Sequence, residues 1–308
     1  MYAFAKTMFD FAIYDVFAEK PFSGCPAAVV RAHQAQPLSV LSVLAQEFNL
    51  PETCLYWWKD GSVMMQFATA AGPIAACGHG LLSVLADAAL TTACGSEGEL
   101  LYRIGDSAPS IAKYRQESPR TFSIRARWNN FPEIGPSLPV RETAMLLGLP
   151  EECLCRDLPM KAVNSGILNG LVPIVDVKTL LEIQPTFGQD WTEYFNKHRL
   201  ADLHLYVIQN HGCTEPTTLY LRTRNVFPYG VREEAATGTA SVSLAAALKQ
   251  TVYPDGLQFS FIQGVQRLGN LQVFVSVAPS GRLDLWLEGT VVLIARGNDL
   301  ALPSVSSE

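Results

Sequence analysis

Along this chain, stretches in which apolar and polar positions alternate give way repeatedly to stretches with helical spacing. Residues 11–17 are rich in aromatic and β-branched side chains and predict a strand, closed by a turn built on Pro21, Ser23, Gly24 and Pro26. Residues 27–31 return as a short strand. Leu38, Leu41, Leu44, Ala45 and Phe48 lie on one stripe and predict a helix over 37–48. Strands follow over 53–58 and 63–69. A small-residue loop, 70–76, leads through Cys77, Gly78, His79 and Gly80 into an apolar helix that runs to Leu90, and strands are predicted over 100–104 and 121–127.

Residues 129–139 are rich in Pro, Gly and Asn and read as a linker, which separates an N-terminal lobe (1–128) from a C-terminal lobe (140–289). A last segment, about 290–300, is expected to pack back onto the first lobe. Beyond the linker the order repeats in outline. A helix over 141–147, strands over 162–165 and 170–175, and helix and loops over 177–199 precede strands over 203–209 and 217–223. A second small-residue helix, 237–249, is followed by strands over 258–263, 271–277 and 282–288, and the tail 303–308 should be loose. The repeat also has a register. At a constant offset of 160 residues, Ala76, Gly78, Ser83 and Ala86 coincide with Ala236, Gly238, Ser243 and Ala246. Gly80 lies over Ala240 and Cys77 over Thr237, and both copies open a helix of small residues.

Composition narrows the class. With 308 residues, 48% hydrophobic and 17% charged, the chain can bury two sizeable cores. Its net charge is -6 and its 23 basic residues are scattered, which argues against a nucleic-acid partner. The longest apolar stretch near the start, 81–90, is interrupted by Ser83 and Asp87 and is too short to span a bilayer; no signal-like segment precedes it, so a soluble cytoplasmic protein is expected. Seven irregularly placed cysteines suggest reduced thiols, and Cys153 and Cys155 have no partners at a zinc-like spacing, so no metal is expected.

The two glycine turns carry the candidate chemistry. A glycine lets the backbone approach a ligand, and the first N–H groups of the helix it opens point outward with the positive end of the dipole. Two such turns acting together would hold a carboxylate, or an enolate as it forms, from both sides. Cys77 stands where a thiol is acidified. The bland alternative is a pair of tight strand–helix turns; the Cys, His, Thr and Glu residues gathered around them favour function.

Four stretches resemble the phenazine-biosynthesis PhzF-like family of the diaminopimelate epimerase fold superfamily. Residues 15–30 are similar to its opening DVF…PFSGNPAAVV, residues 47–53 to its EFNLSET, residues 76–79 to its CGH turn and residues 233–240 to its EDPATGSA. Weaker matches at 165–166, 171–173 and 263–264 extend the similarity from about Phe9 to about Gly297. The resemblance implies an α+β fold of two pseudo-symmetric lobes, each a mostly antiparallel, barrel-like sheet around a central helix. It also implies catalysis without metal or organic cofactor, a small-molecule substrate such as a carboxylate, and a homodimer.

Carried over by position, Glu52 matches the acid/base carboxylate, His79 the histidine of the glycine turn, and Glu234 the aspartate of EDPATG. Gly78 and Gly238 match the anion-cradling glycines, and Thr239 replaces a serine. Catalytic roles are thus expected for Glu52, His79, Glu234 and Cys77, and substrate contacts for Cys25, Gly78, Gly80, Thr237, Gly238 and Thr239. A carboxylate beside the apolar run 54–58 would bind its proton more tightly than usual, which suits a general base. Departures matter as well. Cys25 stands where Asn is usual, Pro73 where a Glu precedes the turn, and Ala235 where Pro is usual. Glu234 is longer than Asp by about 1.5 Å, one C–C bond, and only one of the two superfamily thiol positions holds a cysteine. His33, His198, His204 and His211 form no evident constellation, and Trp57 and Trp58 read as core or cleft wall. The leading expectation is proton-transfer isomerisation in specialised metabolism. A lyase, dehydratase or cyclase, pericyclic closure included, comes second, and a non-catalytic metabolite-binding protein third.

Overall fold

The computed structural model describes residues 8–92, 95–210, 217–228, 233–255 and 258–302. They divide into two compact units, one reaching up to Asn129 and resuming at Glu288, the other spanning Asn130–Leu287.

The first unit opens with β1 (Met8–Val16) and β2 (Cys25–Arg31), α1 (Leu38–Phe48), β3 (Glu52–Lys59), β4 (Ser62–Thr69) and β5 (Gly72–Ile74). Then come α2 (Gly78–Thr92), β6 (Glu97–Ile104), β7 (Ser110–Ser118) and β8 (Thr121–Arg127). The second unit holds β9 (Glu133–Ser137), α3 (Val140–Leu146), β10 (Lys161–Asn164), β11 (Leu168–Pro173), α4 (Val177–Glu182) and α5 (Gln189–His198). It continues with β12 (Asp202–Ile208), β13 (Thr218–Val226), α6 (Gly238–Thr251), β14 (Gln258–Gln263) and β15 (Gly269–Val277). The long last strand, β16 (Leu283–Ala301), starts in the second unit and ends in the first.

In the first unit the strand order β1-β2-β3-β4-β6-β7-β8-β16 closes on itself, because β16 also pairs with β1, Val16 facing Val291 and Met8 facing Ala301. A closed sheet has no edge to protect. Helix α2 packs against β1, β2, β3, β4, β7 and β8, and its residues from Gly78 to Ala89 are buried on every side. That is why its sequence is apolar and small all round: a helix with no solvent face carries no polar stripe. The second unit has the order β9-β10-β11-β12-β13-β14-β15, and α6, buried from Gly238 to Lys249, packs against β10, β11 and β15.

The internal repeat is visible in the topology. Most pairs are antiparallel, and the parallel ones recur in matching places. β2 and β3 flank α1 as β11 and β12 flank α4 and α5, and β4 and β6 flank α2 as β13 and β14 flank α6. Parallel neighbours require a crossover, and a helix supplies each one. This is the expected α+β class, with the expected repeat of one unit in the two halves.

Several local expectations are corrected. β7 lies where no strand was predicted: its buried positions are Ser110, Ala112 and Tyr114, so the alternation is real but is carried by small and polar residues. β5 falls inside the expected loop 70–76, and β9 inside the segment read as a linker, where it pairs with β10. Trp58 is 39% exposed and not a core residue, while Trp57 packs on the cluster around Leu41 and Leu55. Cys25, Cys54, Cys77, Cys153 and Cys155 are thiols. Cys94, Cys213, His211 and the tail 303–308 lie outside the described residues. Among the described residues no helix is long and apolar enough to cross a membrane.

Candidate active site

Glu52 is the first residue of β3, paired with Ala27 of β2, and it is only 1% exposed. Burying a carboxylate is costly unless its surroundings repay it, so a Glu at this depth marks a place where the fold needs one. The surroundings come from the start of α2. The carbonyl of Cys77 accepts the N–H of Leu81 at 3.0 Å, which makes Cys77 the helix cap, and its Sγ accepts the N–H of Gly80 at 3.2 Å. His79 Nδ1 lies 3.3 Å from Cys77 Sγ. One ligating atom from each of Glu52, Cys77 and His79 lies within 4.8 Å of the other two, and all three residues are buried.

Desolvation lowers the pKa of His79 to about 4, so its imidazole is neutral at physiological pH. Its Nε2 has no hydrogen-bond partner among the described residues. A buried imidazole nitrogen in that state is completed by a ligand or by water. Cys54, one turn of pleat from Glu52, has its thiol pushed up by burial and then by the Glu52 charge. Ser83, one turn into the helix, donates to the Gly80 carbonyl at 2.8 Å.

Two predictions arise here. First, His79 is charged in the unfolded chain below its ordinary pKa of 6.5 but stays neutral in the fold down to about 4. Its contribution is therefore complete above pH 6.5 and lost as pH falls through that window. Urea titrations should show the advantage of wild type over His79→Gln shrinking by about 3 kcal/mol between pH 7 and pH 4. Second, a Cβ on Gly80 would sit 2.9 Å from Cys54 Sγ, 3.0 Å from Phe67 Cδ1 and 3.2 Å from Glu52 Cγ. Cys54 and Phe67 are themselves buried and cannot retreat. Gly80→Ala should cost about 1–3 kcal/mol in urea unfolding, since it overpacks a filled site.

The second unit carries a different constellation at the matching turn. Thr237 caps α6 in extended geometry, its carbonyl accepting Ser241 N–H at 3.0 Å. Its hydroxyl does not cap the helix; it donates to Glu234 Oε2 at 2.8 Å. Glu234 keeps a partly accessible edge, yet the surrounding protein pushes its pKa up to about 7, with desolvation the largest cause, opposed by the Thr237 hydrogen bond and assisted by the charge of Asp202. Gly238 and Thr239 are the first residues of the buried helix, and Ser165 donates to the Thr239 carbonyl at 3.0 Å.

The structure thus gathers Glu52, Cys77, His79 and Gly80 at the start of α2, and Glu234, Thr237, Gly238 and Thr239 at the start of α6. Cys25 is buried at the start of β2, opposite Val16, and is not a member of the Glu52–Cys77–His79 group. His204, set aside in the sequence, belongs to a buried network. Its Nδ1 is 3.0 Å from Asn225 Oδ1; Asn169 donates to both oxygens of Asp202 at 3.0 and 2.9 Å; Ser243 lies 2.9 Å from Asn169 Oδ1. Along β12 the residues Asp202 and His204 alternate with Leu203 and Leu205 and read as a polar face, whereas the fold buries every position of the strand. Gln263, which contacts both Thr237 and the Glu234 backbone, was visible in the sequence only as a weak family match.

The closed ring, the buried central helices and the titratable groups at their starts define an α+β protein of two repeated units. The model of the family described as phenazine biosynthesis-like protein matches residues 14–297, and the chain belongs to that family. It is 28% identical to an uncharacterized isomerase of Pseudomonas aeruginosa over 91% of this chain and 97% of the relative. A crystal structure of a Bacillus anthracis phenazine biosynthesis protein of the PhzF family is similar with a TM-score of 0.80 at 19% identity, over 96% of this chain and 99% of that one. A hydroxyproline epimerase from Agrobacterium vitis, solved with bound trans-4-hydroxy-L-proline, is similar with a TM-score of 0.59 at 11% identity, over 96% and 94% of the two chains.

Proposed function

We propose that this protein is an isomerase that moves a proton between carbons of a small carboxylate metabolite, using its own side chains and no cofactor. The observation that carries this reading is the buried group at the start of α2, where a carboxylate, a thiol and a neutral imidazole converge within 4.8 Å. In the proposed reaction the Glu52 carboxylate takes a proton from a carbon next to the substrate carboxyl group. The electron pair left behind moves onto the carboxyl oxygens as an enolate. Backbone N–H groups at the helix start and the His79 ring would stabilise that charge. Glu52 then returns the proton to another carbon or another face, or Cys77 delivers its thiol proton there and the thiolate is reprotonated from the Glu52 carboxylic acid, which completes an isomerisation with no net gain or loss of atoms. A neutral imidazole still carries one N–H, and with that proton on Nε2, the nitrogen turned away from Cys77, it can donate to the developing oxyanion.

Membership in the family, a relative named as an isomerase and a structural neighbour holding a hydroxyproline support both the reaction type and the substrate class. Within the same reading, Glu234, with its pKa pushed up to about 7, is a second group able to exchange a proton near neutrality. Gly78, Gly80, Gly238, Thr237, Thr239 and Cys25 are assigned to substrate contact. A role in specialised metabolite biosynthesis, a homodimer and a cytoplasmic location complete the proposal. The test is incubation of a panel of small carboxylic acids with the protein in deuterated water, read by mass spectrometry. Isomerisation places deuterium on a substrate carbon, whereas a pericyclic closure or simple binding does not.

A further inference from the structure

At the start of α6, Thr237 holds an arrangement that its counterpart Cys77 lacks. Cys77 Sγ takes an N–H of its own helix, whereas the Thr237 side chain leaves the α6 N–H groups alone and turns to Glu234. The difference traces to Gln263, the buried last residue of β14.

Three of its contacts fix the direction of every proton. Thr237 N–H can only donate, and it lies 3.1 Å from one end of the Gln263 amide, so that end is Oε1. The Glu234 carbonyl can only accept, and it lies 3.0 Å from the other end, which is therefore Nε2. The second Nε2 proton goes to Thr237 Oγ1 at 2.9 Å. Thr237 Oγ1 thus receives a proton from Gln263, and its own proton is directed to Glu234 Oε2 at 2.8 Å.

The backbone around Gln263 fits the same purpose. Gly264 has a φ of +95°, a region that side chains disfavour, and its N–H donates to Thr223 O at 3.2 Å. At Gly269 a Cβ would stand 2.7 Å from Ala235 O and 2.8 Å from Ala236 Cβ. The β14–β15 connection therefore closes tightly against the segment between Glu234 and Thr237.

We infer that Gln263 is a positioning residue: its amide aims the Thr237 hydroxyl at the Glu234 carboxylate and keeps it from capping α6. The inference rests on Glu234 being part of the proposed site. An isosteric glutamate could not do the same work, because its carboxylate would face the Glu234 carbonyl and Thr237 Oγ1 with no proton to offer. Among the described residues, the other titratable groups near Glu234 are Asp202, and Glu233, which is held by Arg224 at 3.0 Å.

The experiment is a carbon-13 NMR titration of the full chain labelled at glutamate carboxyls, with Glu234→Gln assigning the resonance. The wild-type midpoint is expected near 7. Gln263→Met, which keeps length and apolar bulk, should raise the proton affinity of Glu234 by about tenfold, the effect of losing a hydrogen bond to a charged acceptor. Thr237→Val should do the same, and the double variant should move no further than Thr237→Val alone. Should Gln263→Met not fold, Gln263→Leu, which also removes the amide without adding a charge, gives the same reading with an upward shift of the same size. An unmoved midpoint in the Gln263 variants, or an undiminished shift in the Thr237→Val background, overturns the inference. The role of Glu234 itself is read separately: if Glu234→Gln keeps full deuterium incorporation, the proposed function loses Glu234 while the titration result stands.

Discussion

Glu52→Gln is expected to lose about 10³-fold in the rate of deuterium incorporation into any acid that the wild-type protein exchanges, within the range that general acid–base groups supply. The amide keeps the volume and one acceptor oxygen of the carboxylate, and Glu52 sits in a filled pocket against Gly80, so the fold should be undisturbed. What disappears is the ability to accept a proton. Glu52→Asp separates charge from reach: the carboxylate returns but is drawn back by about 1.5 Å, and displacement on that scale costs about 10²-fold where groups must meet a reacting carbon. Cys77→Ser should fall between wild type and Glu52→Gln if the thiol returns the proton, and should match wild type if Glu52 works alone. Retention of exchange in Glu52→Gln, in a protein whose circular dichroism and unfolding midpoint match wild type, would move the chemistry elsewhere.

The legibility of this site in the sequence was uneven, for physical reasons. Cys77, His79 and Gly80 could be read because a glycine-bearing turn and an all-apolar helix are local features, written within about fifteen residues of one another. The copy at Thr237 was legible through its constant offset. Glu52 was not legible from pattern alone, since a glutamate ahead of an apolar run reads as an exposed turn residue; only its likeness to a family motif brought it forward. Its burial depends on β2 and β3 lying parallel across α1, which no local signal encodes. Gln263 and His204 were harder still. Gln263 is an inward position in an ordinary alternating strand, His204 lies on a strand buried on both faces, and their importance comes from partners 26 and 21 residues away. β7 was missed because its inward face is built of Ser110 and Ala112, and small residues suffice where a neighbouring helix already fills the space.

Asp87→Ala should be the most destabilising of the single changes considered, at about 2–4 kcal/mol in urea unfolding, because it removes the acceptor of two buried tyrosine hydroxyls and of a partly exposed guanidinium. Asp87 lies on the central helix α2, and its Oδ1 accepts Tyr14 Oη–H at 2.8 Å. Its Oδ2 accepts Tyr56 Oη–H at 2.8 Å and Arg31 Nη2 at 3.0 Å. Tyr14, Arg31 and Tyr56 stand on β1, β2 and β3, three consecutive strands of the closed ring, and Arg31 and Tyr56 face each other in register. Arg31 also reaches Tyr56 Oη through Nε at 2.9 Å and Asp10 through Nη1 at 2.8 Å. Burial first, and the Asp87 charge second, hold both tyrosine hydroxyls well above their ordinary pKa, so they remain donors throughout the accessible pH range.

Alanine at position 87 would leave the two buried hydroxyls without this acceptor and the guanidinium with Asp10 alone. Tyr14→Phe removes one donor and keeps the rest, so about 1 kcal/mol is expected from it. Asp87→Asn should fall between the two, since its amide can still accept from Tyr14 but sets a donor against Arg31. A cost below 1 kcal/mol for Asp87→Ala would mean that packing alone seats the helix. The comparison bears on function because the same helix carries Cys77, His79 and Gly80 at its start, about two to three turns from Asp87. If the network only seats α2, Asp87→Asn below its unfolding midpoint should exchange deuterium at the wild-type rate. If it also sets the register of the helix start against Glu52, exchange and stability should fall together.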